Sequence, residues 1–160
     1  MSTNANTNTS RRKLLRAGAT LPLLPLLALV RPAAATPEDL RAAIAAYTGG
    51  AAPKTGKVSF NIAKLIDNGN AVPVTITVDS PMTAADHVTG IAIFNERNPE
   101  TDIARFTLGP RSGKGEVSTR IRLATSQKLV AVARMKDGSY WQQTADVIVA
   151  LAACIEGEAI

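Results

Sequence analysis

From Val58 to Leu151 the apolar residues of this chain recur at every second position, in short runs separated by turn-forming residues. A strand sends alternate side chains to opposite faces, so this repeat turns one row toward a core and the other toward water. Val58, Phe60 and Ile62 alternate with polar residues, and Val72, Val74, Ile76 and Val78 do so again behind the turn Asp67-Asn68-Gly69-Asn70. Pro73, inside that run, points to an edge position or a strand start. Further strands are predicted over 88–94, 103–108, 117–123, 129–135 and 144–151. Loops fall at Asn95-Glu96-Arg97-Asn98-Pro99 and at 109–115, and Asp137-Gly138 makes a tight turn into Tyr140-Trp141. About seven short strands spaced by turns read as an all-β, immunoglobulin-like antiparallel β-sandwich. Cys154 is the only cysteine, which excludes the sheet-bridging disulfide of an antibody domain.

One helix precedes the strands. Thr36-Pro37-Glu38-Asp39 supplies an N-cap threonine, a proline at the first position and acids facing the positive helix end. Leu40, Ala43, Ile44 and Tyr47 follow at helical spacing, and Gly49-Gly50 closes the run.

The first 35 residues have the order of an export signal. A polar start leads to Arg11-Arg12-Lys13, then to the apolar stretch Leu21 to Val30 and the small residues Ala33-Ala34-Ala35. The apolar stretch is shorter than the roughly 20 residues that cross a bilayer as a helix, and Pro22 and Pro25 interrupt it. The pair Arg11 and Arg12 suggests the twin-arginine route and a periplasmic destination. All of the chain's +5 formal charge resides in this segment. Residues 36–160 are formally neutral and lack the electrostatic footprint of a nucleic-acid binder. The expected organisation is a signal over 1–35, a sandwich with its helix over 36–150, and a C-terminal arm over 151–160.

Little in the chain assembles an active site. His87 is the sole histidine and is expected on a surface turn beside Asp86, with no second ligand for zinc or copper. Gly113-Lys114-Gly115 lacks the spacing of a phosphate-binding loop. Arg111, Lys114, Arg120 and Arg122 read as solvent-facing, and Trp141 as an anchor in a core or an interface. No metal or cofactor is implied, and the chain does not read as an enzyme.

Cys154 is left with two readings. An unpaired cysteine in an exported protein, near a chain end, suits a thiol that pairs with or enters another molecule. If strand alternation continues, however, Cys154 falls on the face of Ile148, Ala150 and Ala152, where a small cysteine packs inertly under a partner.

A resemblance bears on that choice. The twin-arginine signal, the short N-terminal helix, Asn68-Gly69-Asn70-Ala71-Val72-Pro73-Val74, Glu96-Arg97-Asn98-Pro99 and Val117-Ser118-Thr119-Arg120-Ile121-Arg122 are similar to those of SoxY, the sulfur carrier of periplasmic thiosulfate oxidation. The lone cysteine of the arm completes the set, over essentially all of 36–154. The resemblance implies a covalent carrier that holds a sulfur intermediate on Cys154. It also implies a heterodimer with a SoxZ-like sandwich protein, and sulfur-oxidation enzymes that act on the cargo in turn. One segment departs from the usual pattern. Where that family's arm reads Gly-Gly-Cys-Gly-Gly, this chain has Ala152, Ala153, Cys154, Ile155 and Glu156, which resembles a SoxY-related group with an Ala-Ala-Cys-Ile-Glu arm. Alanine and isoleucine restrict the backbone more than glycine does. Glu156, Glu158 and the terminal carboxylate disfavour both a thiolate and an anionic cargo. Beyond about Ala150 the arm is expected to leave the sheet, with Ala152-Ala153 as a spacer. The competing function is a non-catalytic secreted β-sandwich subunit whose cysteine is structural in an interface.

Overall fold

The computed structural model describes residues 35–153; the signal segment with Arg11 and Arg12, and Cys154, Ile155 and Glu156, lie outside the described residues. A helix, α1 (Pro37–Thr48), is followed by nine strands among the described residues. They are β1 (Lys54–Thr55), β2 (Val58–Asn61), β3 (Leu65–Asn68), β4 (Val72–Val78), β5 (Val88–Asn95), β6 (Asp102–Thr107), β7 (Glu116–Ile121), β8 (Gln127–Met135) and β9 (Tyr140–Leu151). The larger sheet has the order β1-β9-β8-β5-β6, with β3 also on β9, and the smaller has the order β2-β4-β7. The two sheets form the sandwich.

The long strands pair antiparallel, as the alternation predicts. Two short strands do not: β1 and β3 both run parallel to β9. β1 lies between the helix-closing glycines and Val58, where the sequence shows no alternation, and β3 leads into a predicted turn. Neither displays a repeat of two: β1 has two residues, both exposed, and β3 buries only Ile66. The strand expected to start near Thr144 begins at Tyr140, so β8 and β9 form one hairpin closed by Asp137-Gly138.

Inward residues of both sheets build the main core. Val72, Val74, Ile76 and Val78 of β4 face Ile91, Ile93, Leu129, Ala131 and Ala133 of the larger sheet. Each fully buried aliphatic side chain contributes about 1.5–3 kcal/mol relative to exposure. β5 and β8 lose strict alternation because both their faces are covered. Ala92, Phe94, Val130 and Val132 point the other way and are buried with Leu40, Ala43, Ile44 and Tyr47 of α1. The rings of Tyr47 and Phe94 meet edge-on with centroids 5.7 Å apart.

α1 starts and stops where its ends are satisfied. The Asp39 N–H donates to Thr36 Oγ1 (3.2 Å), and the Thr36 N–H donates to Asp39 Oδ2 (2.9 Å). The Thr36 hydroxyl also donates to Asp39 Oδ2 (2.8 Å), and this bond, with that from the Thr36 N–H, lowers the Asp39 carboxyl below its ordinary value. At the other end Gly49 takes φ 63°, a left-handed conformation that glycine adopts without steric cost, and its N–H reaches the Ala45 carbonyl. Among the described residues, no helix is long and apolar enough to cross a membrane.

Candidate functional site at the root of the C-terminal arm

β9 is the longest strand at 12 residues, and it receives β8 on one side and β1 and β3 on the other. Its inward residues Val147 and Val149 pack on the core, with Val149 opposite the buried Ile66 of β3. On their face the core ends before Leu151, while Ile148 and Leu65 point to the outward face. Leu151 is 67% exposed, Ile148 is 62% exposed, and Leu65, the register partner of Ile148, is 64% exposed. The root of the arm therefore carries three large apolar side chains in water.

The backbone there is more firmly held than the side chains. The Gly69 N–H donates to the Leu151 carbonyl (2.9 Å), the Leu123 N–H to the Gly69 carbonyl (2.9 Å), and the Ala153 N–H to the Leu123 carbonyl (3.1 Å). Val149 adds an N–H bond to Ser126 Oγ (2.9 Å). The chain was expected to leave the sheet beyond Ala150, with Ala152-Ala153 as a spacer. β9 does end there, at Leu151, but Ala153 is still bonded to the body. The loop between β7 and β8 supplies the acceptors, and sequence spacing gives no sign of that long-range pairing.

That loop is braced from behind. Asn98 donates from Nδ2 to the Arg122 carbonyl (2.8 Å) and accepts at Oδ1 from the Ala124 N–H (2.9 Å) and from Gln127 Nε2 (2.8 Å). Gln127 Oε1 accepts from the Arg97 N–H (2.9 Å). Asn95, wholly buried, accepts from the Arg97 and Asn98 N–H groups and donates to the Glu100 and Thr101 carbonyls. Buried polar groups demand such partners, since each unsatisfied one costs about 1–3 kcal/mol. The segments 68–74, 96–99 and 117–122, distant in sequence, thus meet at or beside the end of the sandwich from which the arm departs. Their composition identifies loops and strands; it does not reveal that they touch.

The other residues singled out by sequence fall elsewhere. His87 is buried rather than on a surface turn. The turn Thr83–Asp86 closes on itself through Thr83 Oγ1 and the Asp86 N–H, folding the imidazole inward until its Nδ1 lies 2.9 Å from the Thr83 carbonyl. Trp141 is half-buried, with the ammonium groups of Lys54 and Lys57 at 5.7 and 5.4 Å from its ring and its Nε1 donating to Ser139 Oγ. Arg111, Lys114, Arg120 and Arg122 are exposed. Among the described residues, no cluster of three or more His, Cys, Asp or Glu could hold a metal ion.

The sequence profile described as sulfur oxidation protein SoxY matches residues 44–154, most of the sandwich and a stretch that ends on Cys154. The chain belongs to the SoxY family. Membership gives it the family's role in sulfur oxidation, that of a carrier working with partner proteins rather than a catalyst. No curated protein matches the chain. Among solved structures, the superoxide reductase (neelaredoxin) of Ignicoccus hospitalis superposes with a TM-score of 0.54 at 15% identity, covering 72% of this chain and 94% of its own. A Thermotoga maritima protein assigned as a superoxide reductase gives 0.53 at 19% identity, covering 61% and 93%. At such identities these likenesses extend to the immunoglobulin-like fold alone.

Proposed function

We propose that this SoxY family member is a periplasmic carrier that holds a sulfur-containing group covalently on Cys154 and presents it to the enzymes of sulfur-compound oxidation. The observation that carries the reading is the family match running to Cys154, the only thiol in the chain. Ala152, Ala153, Ile155 and Glu156 flank it as an arm of the Ala-Ala-Cys-Ile-Glu type. Joining this thiol to a sulfur nucleophile through an S–S bond releases a proton and two electrons, so an oxidising partner must take them up. Hydrolysis of the bound group then breaks the bond to its outer part, which leaves with the water oxygen, while the sulfur remaining on Cys154 keeps the electron pair and takes a proton. A SoxZ-like chain is the proposed heterodimer partner, and the exposed Leu65, Ile148 and Leu151 favour a covered edge near the arm. Export by the twin-arginine route through Arg11 and Arg12 delivers the protein to the periplasm.

Intact-mass measurement of the protein isolated from its native periplasm tests the carrier role. The expected result is a set of adducts that a reductant removes and that Cys154→Ser abolishes without loss of fold. A thiol uniformly free of adducts in cells oxidising sulfur compounds favours the second reading, an interaction subunit with a structural cysteine. The exposed apolar residues around the root of the arm are the observation behind that alternative.

A further inference from the structure

β7 borders the smaller sheet: it pairs with β4 along one side, and among the described residues no strand pairs with the other. In that ladder the Val78 N–H donates to the Gly115 carbonyl (2.7 Å), and residues two apart along an antiparallel strand turn their backbone groups the same way. Gly115, Val117, Thr119 and Ile121 therefore face β4, while Glu116, Ser118 and Arg120 aim their N–H and carbonyl groups away from it. Pro73, which has no N–H, stands opposite Arg120, where no ladder bond is needed. The free edge stops at Ile121, because Asn98 Nδ2 already holds the Arg122 carbonyl.

Other borders are blunted. On β2 the Phe60 N–H is taken by Gln143 Oε1 (2.8 Å), and the pairing of β6 is broken by a register shift at Ile93 and Phe94 of β5. β7 has neither device: its ladder with β4 runs through six pairs without a shift, and it holds no proline. A regular, unpaired edge is a template for another strand. The side chains specify which strand. On the solvent face β7 carries exposed Glu116, Ser118 and Arg120, an order of acid, neutral and base. An antiparallel copy reads that order backwards. With Ser118 opposite Ser118, each Glu116 meets the Arg120 of the second copy, and all three positions turn their backbone groups outward, as such a pairing demands. A slip of two residues in one direction sets Glu116 against serine; in the other it calls on Arg122, whose carbonyl is occupied. On the inner face Val117, half-buried at the border of the core, falls opposite Thr119 of the second copy.

We propose that β7 is a self-complementary edge through which two copies of this chain associate, by antiparallel strand pairing about a two-fold axis at Ser118. The pairing joins the smaller sheets of both copies into one continuous sheet. It goes beyond the carrier reading and does not depend on it.

Sedimentation velocity over a concentration series of the full-length protein tests this, with the protein kept reduced so that no dimer rests on a disulfide. A monomer–dimer equilibrium is expected. Glu116→Arg or Arg120→Glu alone turns both attractive pairs into repulsive ones and weakens the dimer by about tenfold. The double variant Glu116→Arg/Arg120→Glu reverses the order and restores association. Amide exchange supplies the second readout: the Glu116, Ser118 and Arg120 amides slow as concentration rises, whereas those of Val117 and Thr119 are slow in the monomer already. A protein monomeric at every concentration, or a dimer indifferent to the single reversals, overturns the proposal. So does a double variant that fails to recover, or protection of the three outward amides only when a SoxZ-like chain is added, which assigns the edge to that partner instead.

Discussion

The face of the larger sheet under α1 and the end of the sandwich at the arm are held together by different physics. Under α1 the contacts are apolar: Leu40, Ile44 and Tyr47 lie on Ala92, Phe94, Val130 and Val132, with few directional bonds. At the arm the contacts are backbone hydrogen bonds through Gly69, Leu123 and Ala153, braced by the Asn98 carboxamide. Dispersion and burial tolerate changes of shape at a cost proportional to the volume lost. Hydrogen bonds at 2.9–3.1 Å, meeting at the buried Gly69 and Leu123, leave no such slack. The first region adds to the stability of the domain, and the second ties β9 and Ala153 to its body.

Three substitutions probe that division. Phe94→Ala, in the wholly buried layer under the helix, is expected to cost about 3–5 kcal/mol in denaturant unfolding. Folded Phe94→Ala should still show slow exchange at Ala153; a selective loss there would erase the distinction between the two regions. Asn98→Ala strips the brace and leaves the Ala124 N–H and the Arg122 carbonyl without their partner. A cost of about 1–3 kcal/mol is expected, smaller than for Phe94 but with Leu123 and Ala153 exchanging faster than the α1 face. Unchanged exchange at both amides would show that the loop holds without Asn98. Thr36→Ala removes the helix cap and should cost about 1 kcal/mol with no effect at the arm. The Asp39 carboxyl, held low by Thr36, stabilises the cap above its unfolded value, and this contribution is lost as pH falls through the lowered folded value. In Thr36→Ala that acid-side dependence should flatten; an unaltered profile means the cap does not act through Asp39.

The sandwich was legible because β2, β4 and β7 bury one face each and so keep a repeat of two. β5 and β8 were found as apolar runs, but which of their residues face α1 is written in no local pattern, since both faces are covered. β1 and β3 escaped notice because they owe their strand conformation to pairing with β9, across more than seventy residues of chain. His87 was misplaced for a related reason. A Thr-Ala-Ala-Asp turn looks exposed in one dimension, yet its own hydrogen bonds roll the following imidazole inward. At the site, Cys154 and its neighbours stood out through their position and the family resemblance. Gly69 read only as a turn glycine and Asn98 only as a loop residue, because their partners Leu123, Ala124 and Ala153 lie far along the chain.

The account turns on Cys154 being a thiol that other molecules reach just past an anchored strand. Its alkylation rate by N-ethylmaleimide, measured on the native protein freed of any partner and compared with the denatured chain, tests this most directly. Native modification at a rate within about tenfold of the denatured one is the predicted result, as for an accessible, unburied thiol. A native cysteine that stays unmodified until the protein is unfolded would contradict the carrier and establish Cys154 as a buried structural residue.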